Sequence, residues 1–240
     1  MKNTIMHSLL AASFLTTMVL AQPAGMGGPP KKQEDKKEVL AEIGKPAPAF
    51  TLEDQWGTTH TLDEYEGKIV VLEWFSERCP YCKRTWGSGL MQKVIEDLGK
   101  MDSEVVYLAV NSTGNRPKEE VIEGGKEFLE ELKVGTPILS DYDGAVGHSY
   151  GAKTTPHMFV IDTEGVLAYH GALSSDPRGK EGADAKTHVV RAVTQLEAGE
   201  EVKPNYVKPW GCGVKYGKGG GGTAKEKRRP RRGPGAMGMP

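Results

Sequence analysis

An apolar run that ends beside a cysteine pair sets the strongest limit on how this chain can fold. Ile69-Val70-Val71-Leu72-Glu73-Trp74-Phe75 is almost continuously apolar, the composition of a strand covered on both faces. After Ser76-Glu77-Arg78, the residues Cys79-Pro80-Tyr81-Cys82 open a stretch with helical spacing. Two cysteines at this spacing can close a small disulfide ring, or trade that ring with another dithiol. Helix N-terminal amides and the macrodipole favour a thiolate on the first of them. Pro80 suits the first helical turn, because the N–H it lacks would have had no partner inside the helix. The pair therefore reads as a redox site. The competing readings are an inert disulfide and half of a zinc site. A zinc site needs about four ligands, normally with a second cysteine pair, and the sequence offers none. Covalent haem attachment needs His after Cys82, where Lys83 stands. Neither a metal nor a cofactor is expected.

The rest of the chain alternates between strand and helix signals. Strands are expected at 49–52, 68–75, 104–110, 137–139, 157–162 and 166–170. The last two flank Asp162-Thr163-Glu164-Gly165, a hairpin signal. Residues 80–98 read as one helix, with Leu90, Met91, Val94, Ile95 and Leu98 at three-to-four spacing. Residues 117–132 read as another helix, weakened by Gly124-Gly125. A helical turn is expected at 145–150 and a last amphipathic helix at 183–196. Alternating units point to an α/β fold, and the terminal hairpin makes its central sheet mixed.

Both ends differ from this middle. Lys2 followed by a short apolar stretch and Val19-Leu20-Ala21 reads as a signal peptide over residues 1–21, with a membrane anchor as the alternative. Export, to the periplasm, would permit disulfides to persist. Residues 22–42 are rich in Gly, Pro, Lys and Glu and read as a flexible linker. Residues 43–200 are the expected folded domain, 201–216 a C-terminal extension carrying Cys212, and 217–240 a disordered basic Gly/Arg-rich tail. The net charge is only -1. From Tyr216 onward, however, seven basic residues face Glu226 alone, so an acidic body carries a basic tail. Such a tail either solubilises or makes weak contact with anionic surfaces. For an exported chain no nucleic-acid partner is expected.

Three motifs together carry a resemblance to a known family. The segment 73–82 resembles the active-site strand and helix start of thioredoxin-fold proteins. Thr155-Pro156-His157-Met158-Phe159-Val160-Ile161-Asp162 resembles their loop with a cis-proline. Gly44-Lys45-Pro46-Ala47-Pro48-Ala49-Phe50-Thr51-Leu52 resembles the entry of the redoxins. That branch holds TlpA/ResA-like exported thiol–disulfide oxidoreductases and the AhpC/TSA peroxiredoxins. The resemblance spans about residues 43–198 and implies a thioredoxin-like fold, with a mixed sheet flanked by helices.

The resemblance also implies roles. Cys79 would be the more exposed, nucleophilic sulfur and Cys82 the resolving thiol. Glu73, where thioredoxins carry an acid, would exchange a proton with Cys82, with a pKa raised by burial. The alternative is that Glu73 faces solvent or pairs with a lysine. Pro156 would be cis and Thr155 would bond an incoming peptide strand, unless Pro156 is an ordinary trans turn proline. Pro80 and Tyr81 would help set the redox poise and touch substrate. His157 either modulates the thiolate or is a plain strand histidine. Cys212, in Trp210-Gly211-Cys212-Gly213, is left as a relay thiol, an intersubunit partner or a free cysteine. The implied activity is disulfide exchange with other exported proteins, supplied by an upstream reductant that the sequence does not name. A thiol peroxidase is the alternative enzyme. Its family pattern puts proline seven residues before the cysteine and Thr or Ser three before, where this chain has Leu72 and Ser76. A non-enzymatic binding module is the third reading.

Overall fold

A computed structural model describes residues 40–217. The chain divides into 1–37 and 38–240, and the first of these units lies outside the described residues. So do the expected signal peptide, nearly all of the linker and nearly all of the basic tail.

The strand expected at 68–75 forms β3, over Ile69–Trp74. In chain order the strands and helices are β1 (Thr51–Glu53), β2 (Thr59–Thr61), β3 (Ile69–Trp74), α1 (Pro80–Gly87), α2 (Leu90–Leu98), β4 (Val105–Asn111), α3 (Lys118–Glu131), β5 (Ile138–Ser140), α4 (Ala145–Ser149), β6 (Thr154–Thr155), β7 (His157–Ile161), β8 (Leu167–Gly171), α5 (His188–Glu197), β9 (Tyr206–Val207) and β10 (Cys212–Gly213). The main sheet has six strands in the order β5-β4-β3-β7-β8-β9. β3 pairs parallel with β4 and antiparallel with β7, so the sheet is mixed. This is the thioredoxin-like architecture implied by the resemblance.

All six residues of β3 are buried, which explains their near-continuous apolar character. Side chains alternate along the strand. Ile69, Val71 and Phe75 enter a core built with α1, α2, α3 and α5. Val70, Leu72 and Trp74 enter a second core, closed by β1, the turn at 63–65 and the segment around α4. Glu73 shares the parity of the first set. The alternation therefore places a carboxyl in an apolar core, directly under α1.

The expected helix 80–98 is two helices. Ser88 caps α1, and Gly89 adopts φ 83° before α2 begins. An L-residue resists that backbone region, so glycine is the residue that lets the chain turn here. The two short helices can then each lay an apolar side on the sheet. The expected hairpin is present as β7–β8, and Asp162 closes its turn by accepting from the Glu164 and Val166 amides. A second hairpin, β1–β2, is closed in the same way by Asp54. Residues 201–216 pack on the domain: β9 extends the main sheet beside β8, and β10 pairs with β6.

Leu72 lies at the centre of β3 with no exposed surface. Leu72→Ala should therefore lower stability by about 2–5 kcal/mol, read as a shift of the urea midpoint with an unchanged slope.

Candidate active site at the end of the central strand

The chain leaves β3 at Trp74 and turns through residues 75–79 into α1. Cys79 is the N-cap and Pro80 occupies the first helical turn. The Cys79 amide donates to the Ser76 carbonyl, and the Lys83 amide donates to the Cys79 carbonyl, so both sides of the turn are fixed. Cys82 lies one turn inward and is fully buried. Both cysteines are free thiols in this structure. Cys79 is the more exposed of the two, but only slightly, at 4% against 0%.

The two thiols are pushed in opposite directions. As a thiol, Cys79 donates to the Thr155 carbonyl oxygen at 3.0 Å. As a thiolate it can accept from the Cys82 thiol first, and also from the Thr155 side chain and the Cys82 and Cys212 amides. Burial and the carbonyl favour the protonated form. The converging donors outweigh them, and Cys79 ionises well below the ordinary thiol range. Cys82 is raised well above that range. Burial is the main cause, followed by its hydrogen bond to Cys79 and the negative charges of Glu73 and Cys79.

Glu73 lies beneath this pair with no exposed surface. The Tyr107 hydroxyl donates to its Oε2. Its Oε1 has no hydrogen bond, and neither does the Trp86 indole N–H. The indole is nonetheless close enough to pull the carboxyl's pKa down somewhat. Desolvation is larger, and the pKa of Glu73 rises to about 7. The reading of Glu73 as a solvated or lysine-paired residue is thereby excluded. Tyr107 was not singled out from sequence. It reaches Glu73 because parallel register sets Tyr107 beside Val71 and Ala109 beside Glu73, and register is not written in a single strand.

The other expected residues gather around Cys79. The Thr155–Pro156 peptide is cis. Tyr81 is half-buried and packs on Trp210 at 5.9 Å between ring centroids, and the Arg84 guanidinium lies over the Tyr81 ring, 4.8 Å from its centroid. Cys212 is partly exposed and belongs to a strand paired with Thr155. His157 lies elsewhere. It faces the second core, contacts Phe159 and His170, and burial holds its pKa down at about 3. It is a neutral strand histidine. Residues 76, 78, 79, 80, 113, 155, 212, 213 and 215 line a cleft of about 240 Å³ over the Cys79 sulfur. Among the described residues, no cluster of three or more His, Cys, Asp or Glu is placed to hold a metal ion. No described helix is long and apolar enough to cross a membrane.

Comparison with known proteins agrees with this geometry. The profile of the AhpC/TSA family matches residues 43–170. Over 129 residues the chain is 32% identical to the thiol–disulfide oxidoreductase ResA of Geobacillus thermodenitrificans, covering 54% of this chain and 68% of that protein. It is 31% identical over 144 residues to the thiol:disulfide interchange protein DsbE of Escherichia coli, covering 58% and 69%. A crystal structure of the hypothetical protein SMc02350 from Sinorhizobium meliloti superposes with a TM-score of 0.65 at 27% identity, covering 74% of this chain and 96% of that one.

The raised carboxyl has a thermodynamic signature. A folded-state pKa above the unfolded value stabilises the fold fully below about 4.5, and that contribution is gone above about 7. For the reduced protein, Glu73→Gln should cancel a loss of about 3 kcal/mol between pH 4 and pH 8. Urea titrations of both proteins at the two pH values measure this. Equal pH slopes would mean that the carboxyl is solvated.

Proposed function

The chain belongs to the AhpC/TSA family, and we propose that within it this protein is an exported thiol–disulfide oxidoreductase that exchanges disulfides with other proteins through Cys79 and Cys82. The observation that carries this reading is the opposed polarisation of the two thiols above a buried, unsaturated carboxyl. A peroxidase needs one activated sulfur. A dithiol exchange needs a ready nucleophile, a protected resolving thiol and a base that can reach it.

In the reductive direction the Cys79 thiolate attacks one sulfur of a substrate disulfide. A Cys79–substrate disulfide forms and the other substrate sulfur leaves as a thiolate. Glu73, ionised, takes the proton of Cys82 through its open Oε1. The Cys82 thiolate then attacks the Cys79 sulfur, and the reduced substrate departs. Glu73 has a pKa near 7, so its basic form is well populated at neutral pH. Tyr107 positions the carboxyl through Oε2 and leaves the other oxygen for the transfer. Tyr81 and Pro80 border the entry, and Thr155 offers backbone groups to a substrate strand beside the sulfur. An upstream dithiol reductant resets the pair. The expected address is the periplasm, with the basic tail available to anionic surfaces.

Reduction of insulin disulfides and consumption of peroxide, measured side by side, test the reading. Cys79→Ser should abolish insulin reduction. The double variant Cys82→Ser/Cys212→Ser, which removes both other thiols, should retain the first attack and accumulate a mixed disulfide. Glu73→Gln should slow turnover by about 10²-fold and remove a rise in rate centred near pH 7. Peroxide turnover that survives in Cys82→Ser, with no insulin reduction in the native protein, would overturn the assignment in favour of a peroxidase.

A further inference from the structure

Thr155 is already occupied. β10 pairs antiparallel with β6, Cys212 opposite Thr155 and Gly213 opposite Thr154. This is strand addition at a sheet edge, the mode by which extended peptides are held by backbone hydrogen bonds. Here the added strand comes from the same chain and brings a cysteine. The Cys212 amide faces the Cys79 sulfur, and the Cys212 thiol faces it closely enough to share a hydrogen bond.

The segment is seated along its length. The Trp210 indole donates to the Ser174 carbonyl at 2.7 Å and its ring packs on Tyr81. The Val214 amide donates to the Lys153 carbonyl, and the Gly114 amide to the Lys215 carbonyl. The Tyr216 hydroxyl donates to the Ala152 carbonyl at 2.8 Å, and its ring stacks on His148. The surrounding sequence makes room for it. A Cβ on Gly147 would lie 2.6 Å from the Tyr216 hydroxyl oxygen, and one on Gly211 would lie 2.2 Å from the Thr155 carbonyl oxygen. Gly211 also holds φ +142°, where other residues are strained. A strand docked at one edge could be incidental. A strand docked by backbone, indole and phenol groups at once, against glycines that leave it space, is a fitted element.

We infer that residues 210–216 form an internal substrate strand, and that Cys212 is a third redox thiol which exchanges with Cys82 for Cys79. The inference rests on the Cys79–Cys82 dithiol proposed above. Reduction of a protein disulfide leaves a Cys79–Cys82 disulfide. The Cys212 thiol loses its proton to solvent, and its sulfur attacks that of Cys79. The Cys79–Cys212 bond forms as the Cys79–Cys82 bond breaks. Cys82 leaves with the electron pair and takes a proton from Glu73. One disulfide replaces another with no net oxidation. In the product the strap is covalently latched across Thr155, so a substrate strand is shut out until Cys82 reverses the exchange. The native dithiol thus has a competitor built into its own chain, and a substrate must displace the strap to react.

Full-length Cys82→Ser, which keeps Cys79 and Cys212, is equilibrated in glutathione buffers, and disulfides are mapped by mass spectrometry without reduction. The expected product is an intramolecular Cys79–Cys212 link with little glutathione bound. Glutathione accumulating on Cys79 while Cys212 stays free would overturn the inference. Gly211→Ala in the same background, with neither thiol changed, should lower the yield of the link by about tenfold or more, because the strap loses its effective concentration at Cys79. An unchanged yield would refute the seated strand. The native protein and Cys212→Ser, titrated in parallel, keep the test independent of how Cys82→Ser folds. A Cys79–Cys212 peptide should appear in the first and be missing from the second, and its absence from both counts against the inference. If the native protein forms a reversible Cys79–Cys82 disulfide but no Cys212 link, only the strap inference fails. If it forms neither, the dithiol reading fails first.

Discussion

Glu73 sits in a strand with no solvent on either face, and the Tyr107 hydroxyl holds one of its oxygens. An ionised carboxyl in such a place is costly, so the group resists charging until near neutrality. The geometry of the site follows from that resistance. The carboxyl and the deeper thiol are each other's neighbours, and the charge of either one discourages ionisation of the other. One proton is therefore most comfortably shared between them. The shallow thiol has a different environment. It caps α1 and meets several donors, so it ionises without help. Strand parity produces this arrangement, since the position that alternates with Val71 and Phe75 is the one facing the helix that carries both sulfurs.

The other half of the site is an edge. Thr154 and Thr155 form a two-residue strand outside the main sheet, and without β10 they would present unpaired backbone groups beside Cys79. Exposed edges invite pairing with other chains. Here β10 fills the edge from within the chain. This explains why Cys79, although the more exposed of the two sulfurs as expected, is nearly as buried as Cys82. What covers Cys79 is a short peptide strand, paired antiparallel with Thr154 and Thr155.

The sequence made much of this legible, and physical reasons account for the remainder. Burial of β3 on both sides was readable because it leaves a continuous apolar run, and the β7–β8 hairpin was readable because Asp162 and Gly165 mark its turn. The cysteine pair, Glu73 and Pro156 were identifiable because each departs from what its position would otherwise favour. The single helix over 80–98 was misread, since apolar spacing continues across Gly89 although the backbone does not. β6, β9 and β10 were invisible, because two-residue strands have no periodicity and exist only through their partners. Tyr107 and the seat of Tyr216 depend on register and on gaps left by distant glycines, which local pattern does not encode.

Burial also decides how the two candidate partners of Cys79 differ. Cys82 is enclosed, and in the proposed exchange its proton leaves through Glu73. Cys212 is partly exposed and its thiol is raised mainly by burial and by Cys79, with Lys215 pulling the other way. Its proton can go to water. Attack by Cys82 therefore depends on the state of one buried carboxyl, whereas attack by Cys212 depends on bulk pH and on whether the strap is seated. Lowering the pH through 7 protonates Glu73 and hinders attack by Cys82, while favouring its departure from Cys79 as a neutral thiol. Departure of Cys82 is the step that lets the strap latch. The same carboxyl thus acts in opposite senses on the two exchanges. In the proposed exchange its protonation biases which of two sulfurs, one in the core and one on the strap, is bonded to Cys79.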